Sequence, residues 1–257
     1  MSMRRHELTD EERAIIRPLL PNKSRAVPRV DDRRVINGIL WRFRTGAPWR
    51  DVPDRYGPRT TLYNRLVRWR AAGVWGRLLD AVSKAYDGDV VMIDSSCMRV
   101  HQHGAAPKEN GRDGCMGRSR GGLTIKPHAL VDADGRAVRL SLPPGQAGDA
   151  PAALELLEPL AEGATLLDDK AYDTDAICAH ADERGAWACI PPTARRKGSF
   201  AFSRWVYRQR NLVERFFNRL KDFRGIATRY DRRPGNFLAT VKLASVRFWL
   251  ASYESAS

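Results

Sequence analysis

The sequence predicts a mixed α/β domain preceded by a smaller all-helical region, and two patterns carry this prediction. Up to residue 86, apolar side chains recur at helical spacing. From residue 87 onward, an antiparallel pair of short apolar runs is followed by runs that alternate with helical patterns, which is the order of a mixed α/β fold. We therefore divide the 257 residues into a helical region, 1–86, and an α/β domain, 87–257.

Four helices are predicted in the N-terminal region, with bounds of 9–20, about 32–43, 59–70 and 74–85. The first opens with a capping box, since Thr9 is followed by Glu12. The third is rich in arginine and follows a turn-rich connector. A helix, a short turn and an arginine-rich helix resemble a helix-turn-helix, so we expect Arg59, Arg65 and Arg68 to contact DNA. The alternative is a small helical bundle with a solvated basic face.

The α/β domain is predicted to contain strands at 90–93, 98–100, 123–131, 137–142, 165–167 and 187–190. Helices are predicted at 149–160, 173–184, 204–223 and about 236–253. The segment 132–135 is a hairpin turn signal between two strands. The glycine-rich basic segment 103–122 shows no periodicity and is predicted to be a mobile loop.

The charge of the chain favours a nucleic-acid partner. The formal net charge is +14, and thirteen Lys or Arg stand against three acids between residues 195 and 233. An anionic membrane surface is the weaker option. No apolar run reaches the ~20 residues that span a bilayer, and the polar N-terminus indicates no secretory signal. We expect a cytoplasmic protein without a membrane partner.

Cysteine spacing argues against a structural metal or disulfide framework. The four cysteines form no Cys-x-x-Cys pair, so free reduced thiols are the favoured interpretation. A zinc site built from Cys115, His101 and His103 is the alternative, although it lacks a fourth ligand at a usual spacing.

Two aspartates directly follow short apolar strands. Asp94 ends the strand at 90–93 and Asp169 stands just beyond 165–167, and ligands collect at the carboxyl ends of strands in open α/β sheets. If these strands are neighbours, their carboxylates converge and can bridge two divalent cations about 4 Å apart. Asp168 is an alternative to Asp169, because adjacent strand residues face opposite sides. Ordinary turn or cap roles are the competing interpretation.

Glu214 is the best candidate for a third carboxylate. It lies in the most basic stretch of the chain, where an acid weakens phosphate binding unless it holds a cation. On a helical wheel it shares a polar stripe with Arg210 and Lys221, opposite the apolar stripe. An ordinary amphipathic helix with a solvated face explains the same pattern, and the direction of Glu214 away from the apolar stripe stays unexplained.

These residues match a known signature. Tyr207, Arg210, Glu214 and Lys221 stand at the spacing of the Tyr-Arg-Glu-Lys signature of bacterial insertion-sequence DDE transposases. The chain most resembles the insertion-sequence-five family along essentially its whole length. Further similar segments are 46–50, 92–96, 117–124 and 169–173.

The resemblance implies an RNase H-like catalytic core with an N-terminal helical DNA-binding domain. It assigns Asp94, Asp169 and Glu214 as catalytic residues and as ligands of two Mg²⁺ (or Mn²⁺) ions. Asp169 is preferred over Asp168 because the family's aspartate directly precedes a Lys-Ala-Tyr segment. Without metal, we expect the acids to sit slightly apart or to draw in a basic side chain such as Lys221.

The implied activity is metal-dependent DNA transposition. The enzyme would cut at the terminal inverted repeats of its element and transfer the 3′-hydroxyl end into target DNA. Tyr207, Arg210 and Lys221 would hold the DNA backbone near the cut. The expected partners are double-stranded DNA and a second copy of the chain or a higher oligomer, in association with the bacterial nucleoid. The alternatives are a helix-turn-helix regulator without catalysis and a metal nuclease that cuts but does not join.

Overall fold

A five-stranded mixed sheet forms the centre of the protein. The computed structural model describes residues 7–21, 30–86, 88–105, 115–144, 149–194, 196 and 201–255. The sheet has the order β6-β5-β1-β7-β8, in which β1 is antiparallel to β5 and parallel to β7. Its strands are β1 (Val90–Ser95), β5 (His128–Asp132), β6 (Ala137–Ser141), β7 (Thr165–Leu167) and β8 (Trp187–Cys189). The predicted class, a mixed α/β sheet preceded by helices, is confirmed.

A smaller sheet has the order β3-β4-β2-β9. Its strands are β2 (Met98–Val100), β3 (Gly117–Ser119), β4 (Gly122–Ile125) and β9 (Thr228–Arg229). The prediction of one loop over 103–122 is wrong at 117–119, where β3 pairs with β4; residues 106–114 lie outside the described residues. The single strand predicted at 123–131 is also wrong. Pro127 separates β4 from β5, because it has no N–H to donate to a neighbouring strand. Its carbonyl accepts a hydrogen bond from Ser96 N at 3.2 Å.

The N-terminal helices form as predicted, but their connections differ. They are α1 (Asp10–Ile16), α2 (Asp32–Thr45), α3 (Arg59–Ala71) and α4 (Val74–Val82). The capping box is confirmed: the Thr9 hydroxyl accepts from Glu12 N and the Glu12 carboxylate accepts from Thr9 N, both at 3.0 Å. The link from α2 to α3 covers 46–58 and contains two 3-10 turns. The short turn expected there is therefore wrong, and a tight turn instead joins α3 to α4.

The remaining helices are α5 (Asp149–Leu157), α6 (Asp175–Glu183), α7 (Arg204–Tyr207), α8 (Asn211–Lys221), α9 (Arg224–Ala227) and α10 (Pro234–Ser255). Of these, α5, α6, α8 and α10 pack against the central sheet, and α9 packs against the smaller sheet. A 3-10 turn at 208–210 joins α7 to α8 with helical dihedral angles at both ends. The single helix predicted over 204–223 is thus a helical run whose middle turn is tightened and which ends at Lys221.

The hydrophobic core does not stop at residue 86. One cluster of buried side chains joins Leu66 and Trp75 of the N-terminal helices to Phe216, Phe237 and Trp249 of α8 and α10. Helix α10 packs against α3 and α4 on one side and contacts β6 on the other. A second cluster lies between the opposite face of the sheet and helices α5 and α6. The division at 86/87 therefore marks a change of secondary structure within one continuous core, and the two-domain organisation stays a prediction.

Candidate active site

Asp94 and Asp169 lie side by side at the carboxyl ends of two neighbouring parallel strands. In the β1–β7 ladder, Met92 is opposite Leu167. Each aspartate stands two residues beyond its member of that pair, and side chains two apart on a strand face the same side. The strand register therefore brings these two carboxylates together and sends Asp168 to the opposite face.

Arg210 binds both of these carboxylates and the carboxylate of Glu214. Its Nη2 lies 2.9 Å from Asp94 Oδ2 and 3.5 Å from Asp169 Oδ2. Its Nη1 lies 2.6 Å from Glu214 Oε1. All three carboxylates contact one guanidinium. The distance between any two of the contacting oxygens is therefore at most the width of the guanidinium plus two contact distances. The expected convergence of the three acids is present in the structure.

Helix α8 carries Glu214 along the edge of the site. Its apolar stripe, which includes Val213, Phe216 and Leu220, is buried in the core. Glu214 itself is 57% exposed and is held by the i,i+4 contact with Arg210. Glu214 therefore reaches the aspartates by lying beside the sheet edge, although it does not point into the core.

Backbone amides fix the aspartates in these positions. Asp94 Oδ1 accepts from Ser95 N, and Asp169 Oδ1 accepts from Ala171 N, both at 2.7 Å. The second bond caps the 3-10 turn that follows β7. Each aspartate thus uses one oxygen to bind its own backbone and turns the other toward Arg210.

The charges of the site shift the pKa values of Asp94 and Arg210, in part against the effect of burial and in part together with it. Burial raises the pKa of Asp94, and the negative charges of Asp169 and Glu214 raise it further, while the Ser95 amide and Arg210 lower it. Burial alone would lower the pKa of Arg210, but the surrounding anionic groups, Asp94 foremost, outweigh it and raise that pKa. Arg210 therefore stays charged and offsets the mutual repulsion of the acids.

Asp168 has a different environment. Its side chain is completely buried, and its Oδ1 accepts from Asp169 N at 2.7 Å. Its Oδ2 has no hydrogen-bond partner within the described part of the chain. Burial raises the pKa of Asp168 well above its usual range. It faces the second hydrophobic cluster and does not contact Arg210.

The donor set at the site fits a hard divalent cation. Carboxylate oxygens are the preferred ligands of Mg²⁺, and three of them turn toward one positive centre. Across the described residues, no group of three or more His, Cys, Asp or Glu side chains lies close enough to hold a metal ion, with Arg210 standing between the acids. A basic side chain is drawn in between the acids as expected, and it is Arg210, whereas Lys221, the example given, is not the one. The i,i+4 spacing of Arg210 and Glu214 was the available signal.

The alternative zinc site is not assembled. The His101 ring stacks on Tyr230 with centroids 4.7 Å apart, and Cys115 Sγ contacts the carbonyl of Leu142 at 3.6 Å. Within the ranges that the structure describes, no metal-holding cluster forms around His103 either. The four cysteines are free thiols in the structure.

The residues predicted to bind DNA differ in exposure. Lys221 is exposed at the end of α8, and half-buried Tyr207 packs edge-on against Phe202 with centroids 5.4 Å apart. Arg59 and Arg68 are exposed on α3. Arg65 is 5% exposed and pairs with Asp32, so it stabilises the packing of α3 on α2 and does not offer its guanidinium to a duplex.

A mixed sheet with three acids gathered at its edge, on a strongly basic chain, has the features of an enzyme that acts on a nucleic-acid backbone. The family model described as "Transposase DDE domain" matches residues 85–249, and the model described as "Putative transposase of IS4/5 family" matches residues 8–79. The chain belongs to the family of DDE-domain transposases and is an enzyme of DNA cleavage and strand transfer.

Relatives at moderate identity are consistent with this assignment. The putative transposase for insertion sequence element IS6501 of Brucella ovis is 36% identical over 129 residues, which cover 50% of this chain and 99% of that protein. The uncharacterized protein y4sN of Sinorhizobium fredii is 35% identical over 118 residues, 45% of this chain and 94% of that protein.

A solved structure, the Mos1 transposase paired-end complex with left transposon end, aligns over 90% of this chain and 81% of that chain. The alignment has 12% identity and a TM-score of 0.28, which is too low to support a conclusion. No helix within the described ranges is both long enough and apolar enough to cross a membrane.

Proposed function

We propose that Asp94, Asp169 and Glu214 are the catalytic acids with which this transposase cuts the ends of its element and joins the 3′-hydroxyl ends to target DNA. The observation that carries the proposal is the convergence of the three carboxylates on the Arg210 guanidinium. Acids that repel one another gather only around positive charge, and a site that Arg210 neutralises in the structure offers the same oxygens to a divalent cation once Arg210 moves away.

These three acids would hold two Mg²⁺ (or Mn²⁺) ions, which supply a Lewis acid and an activated water for phosphodiester cleavage. Arg210 would exchange the carboxylates for a DNA phosphate, since a guanidinium binds either anion with the same two-pronged geometry. Tyr207 and Lys221 flank that position on the same helical run and would hold the adjoining backbone.

Double-stranded DNA is the proposed partner, and it would be held by exposed cations away from the acids. Arg59 and Arg68 on α3 would contact the backbone of the element end, whereas buried Arg65 would support α3 from beneath. Because two element ends must be handled together, we propose a dimer or higher oligomer on DNA. The site of action would be the bacterial cytoplasm, at the nucleoid.

The test is to incubate the full chain with duplexes that carry its own element ends, with Mg²⁺ and with EDTA. Asp94→Asn, Asp169→Asn and Glu214→Gln should each abolish cutting and keep DNA binding, while the exposed control Asp182→Asn keeps both. Full cutting in EDTA would falsify the metal mechanism. Cutting without joining would leave a nuclease, and binding without cutting by the wild type would leave a regulator.

A further inference from the structure

A basic cleft runs along α8 beside the proposed active site. It consists of two adjoining cavities of about 410 and 600 Å³, which share Arg44 and Asp222 as lining residues. Helix α2 of the N-terminal region forms one wall, and the ends of α8 and α10 form the other. We call this feature the α2–α8 cleft.

Aromatic rings hold two arginines of the cleft in place. The Arg219 guanidinium lies 4.3 Å from the ring centroid of Phe248, and that of Arg44 lies 5.3 Å from the ring centroid of Phe223. Such stacking orients a guanidinium and leaves its edge donors available. No carboxylate lies within ion-pair distance of Arg219 among the described residues. Arg219 thus makes no ion pair within the described residues, although the charge of Asp222, which lines the same cleft, acts on it from a distance.

The one acid in the α2–α8 cleft does little to neutralise it. Asp222 is 62% exposed, and its contact with Arg44 is long, at 3.5 Å. An exposed pair at that distance contributes little free energy and is easily displaced by another anion. Arg247 also lines the cleft, but it is paired with buried Glu12, so we assign it to the fold.

The second cavity extends the cleft to the end of α8, where Lys221 lies on the same helix face as Glu214. Lys221 and Arg224 line it together with Arg44. At about 100° per residue, Lys221 returns to the same face of α8 as Glu214, whereas Arg219 is turned by roughly 140°. A Cβ on Gly46 would lie 2.9 Å from the Arg224 side chain, so this glycine lets the end of α2 approach closely. The basic side chains of Lys221, Arg224, Arg44 and Arg219 therefore form a continuous row, which begins on the face of α8 that carries Glu214 and passes around the end of that helix.

We propose that the α2–α8 cleft binds the phosphate backbone of duplex DNA where the duplex leaves the active site. This inference rests on the proposed function, because it extends the path of a duplex whose cut site lies at Asp94, Asp169 and Glu214. Charge complementarity selects the occupant: pre-oriented arginines in an open cleft fit a polyanion, and Lys221 joins the cleft to the site where DNA is processed. Both the N-terminal helices and the α/β core would then contact one duplex.

The experiment measures binding of a labelled random-sequence DNA duplex in EDTA over a range of salt concentrations. The variant Arg44→Gln/Arg219→Gln/Arg224→Gln should bind about tenfold or more weakly, and the slope of log affinity against log salt should shrink by about 0.9 for each phosphate that is no longer neutralised. Arg184→Gln, which removes an exposed arginine at the end of α6, should match the wild type. Arg219→Lys, which keeps the positive charge, should bind the duplex nearly as tightly as the wild type.

Thermal melting of each variant checks its fold, and the single substitutions Arg44→Gln and Arg224→Gln replace the triple variant if that one does not fold. Unchanged affinity and salt slope in the cleft variants overturn the proposal. Tighter binding of duplex RNA through the same residues overturns DNA as the occupant. Because neither metal nor element ends are used, the two failures can be told apart. A wild type that binds through the cleft but never cuts refutes the proposed function, and only the binding of duplex DNA by the cleft is then supported.

Discussion

At the residue scale, the position of Arg210 explains how three acids coexist at the edge of the sheet. The guanidinium places one positive charge among the three carboxylates. If these acids hold divalent metal as we propose, Arg210 must move away from them when metal binds, so metal binding and the position of Arg210 would be coupled.

Replacing Arg210 should therefore have opposite effects on the free protein and on metal binding. In EDTA, Arg210→Gln should lower the free energy of unfolding by about 1–3 kcal/mol, because charge-assisted hydrogen bonds are removed and the acids repel. Its affinity for Mn²⁺, measured by electron paramagnetic resonance, should rise. Arg215→Gln on the exposed side of α8 is the control. An unchanged or weaker Mn²⁺ affinity would show that Arg210 does not compete with metal.

The adjacent aspartates provide a second test at this scale. Asp168 is buried and its pKa is raised, which favours the neutral carboxyl group. A neutral amide has nearly the same shape, so Asp168→Asn should fold normally and still cut DNA. Asp169→Asn should fold equally well and lose cutting. Cleavage assays and thermal melts of the two variants decide the matter; an inactive Asp168→Asn beside an active Asp169→Asn would reverse our assignment.

At the element scale, the junction of β5 with α5 contains a buried titratable group. His128 is fully buried, and both of its ring nitrogens lack a hydrogen-bond partner within the described residues. Burial lowers the pKa of His128 to about 4; Asp149, 3.5 Å away, opposes the shift, and Lys126 adds to it. Lys126 donates hydrogen bonds to both oxygens of Asp149. The lysine charge therefore offsets much of the stabilisation that Asp149 would give to a protonated His128 ring.

Stability should consequently fall in mild acid. The folded pKa is depressed below the ordinary value of about 6.5, so the contribution of neutral His128 is fully present above that pH and is lost as the pH falls toward 4. The loss should approach about 3 kcal/mol. Urea unfolding at a series of pH values measures it, and His128→Gln should flatten the curve in this window. An equally steep decline in the variant would assign the effect to other groups.

Elements with a strong local pattern were predictable from the sequence, and those set by tertiary pairing were not. The apolar runs of β1 and β7 and the capping box of α1 were found because their signals lie within a few residues. The break at Pro127 and the β3–β4 hairpin depend on the pairing of β4 with β2. The local periodicity of the sequence carries no information about that pairing. The same holds for the site. The three acids could be predicted because each stands at a recognisable strand end or on a recognisable helix. Which of the many cations lies between them could not be predicted, because that depends on the register of β1 on β7.

At the scale of the whole molecule, the first and last helices of the structure are tied by a buried ion pair. Glu12 of α1 is fully buried; one of its oxygens pairs with Arg247 of α10, and the other accepts from the backbone of Thr9. The contact joins residues 235 positions apart in the chain. It therefore contributes to the stability of the shared core and not only to that of α1.

Glu12→Ala should lower the free energy of unfolding by about 3–5 kcal/mol, because it leaves a largely buried arginine without its partner. Thr9→Ala, which removes only the cap, should cost about 1 kcal/mol. Urea unfolding followed by both tryptophan fluorescence and circular dichroism should give a single transition. Equal small effects of the two substitutions, or separate transitions for the two regions, would contradict a core shared across residue 86.

The shared core also determines when a newly made chain becomes functional. Synthesis proceeds at about 5–20 residues per second and releases the N-terminal segment first. The apolar faces of α3 and α4 are then complete, yet α10, which packs against both helices, emerges much later. A ribosome that stops before residue 234 therefore releases a product with exposed apolar helices, which proteases can remove. Only a chain translated through α10 completes the core that its N-terminal helices share with the sheet that carries the three acids.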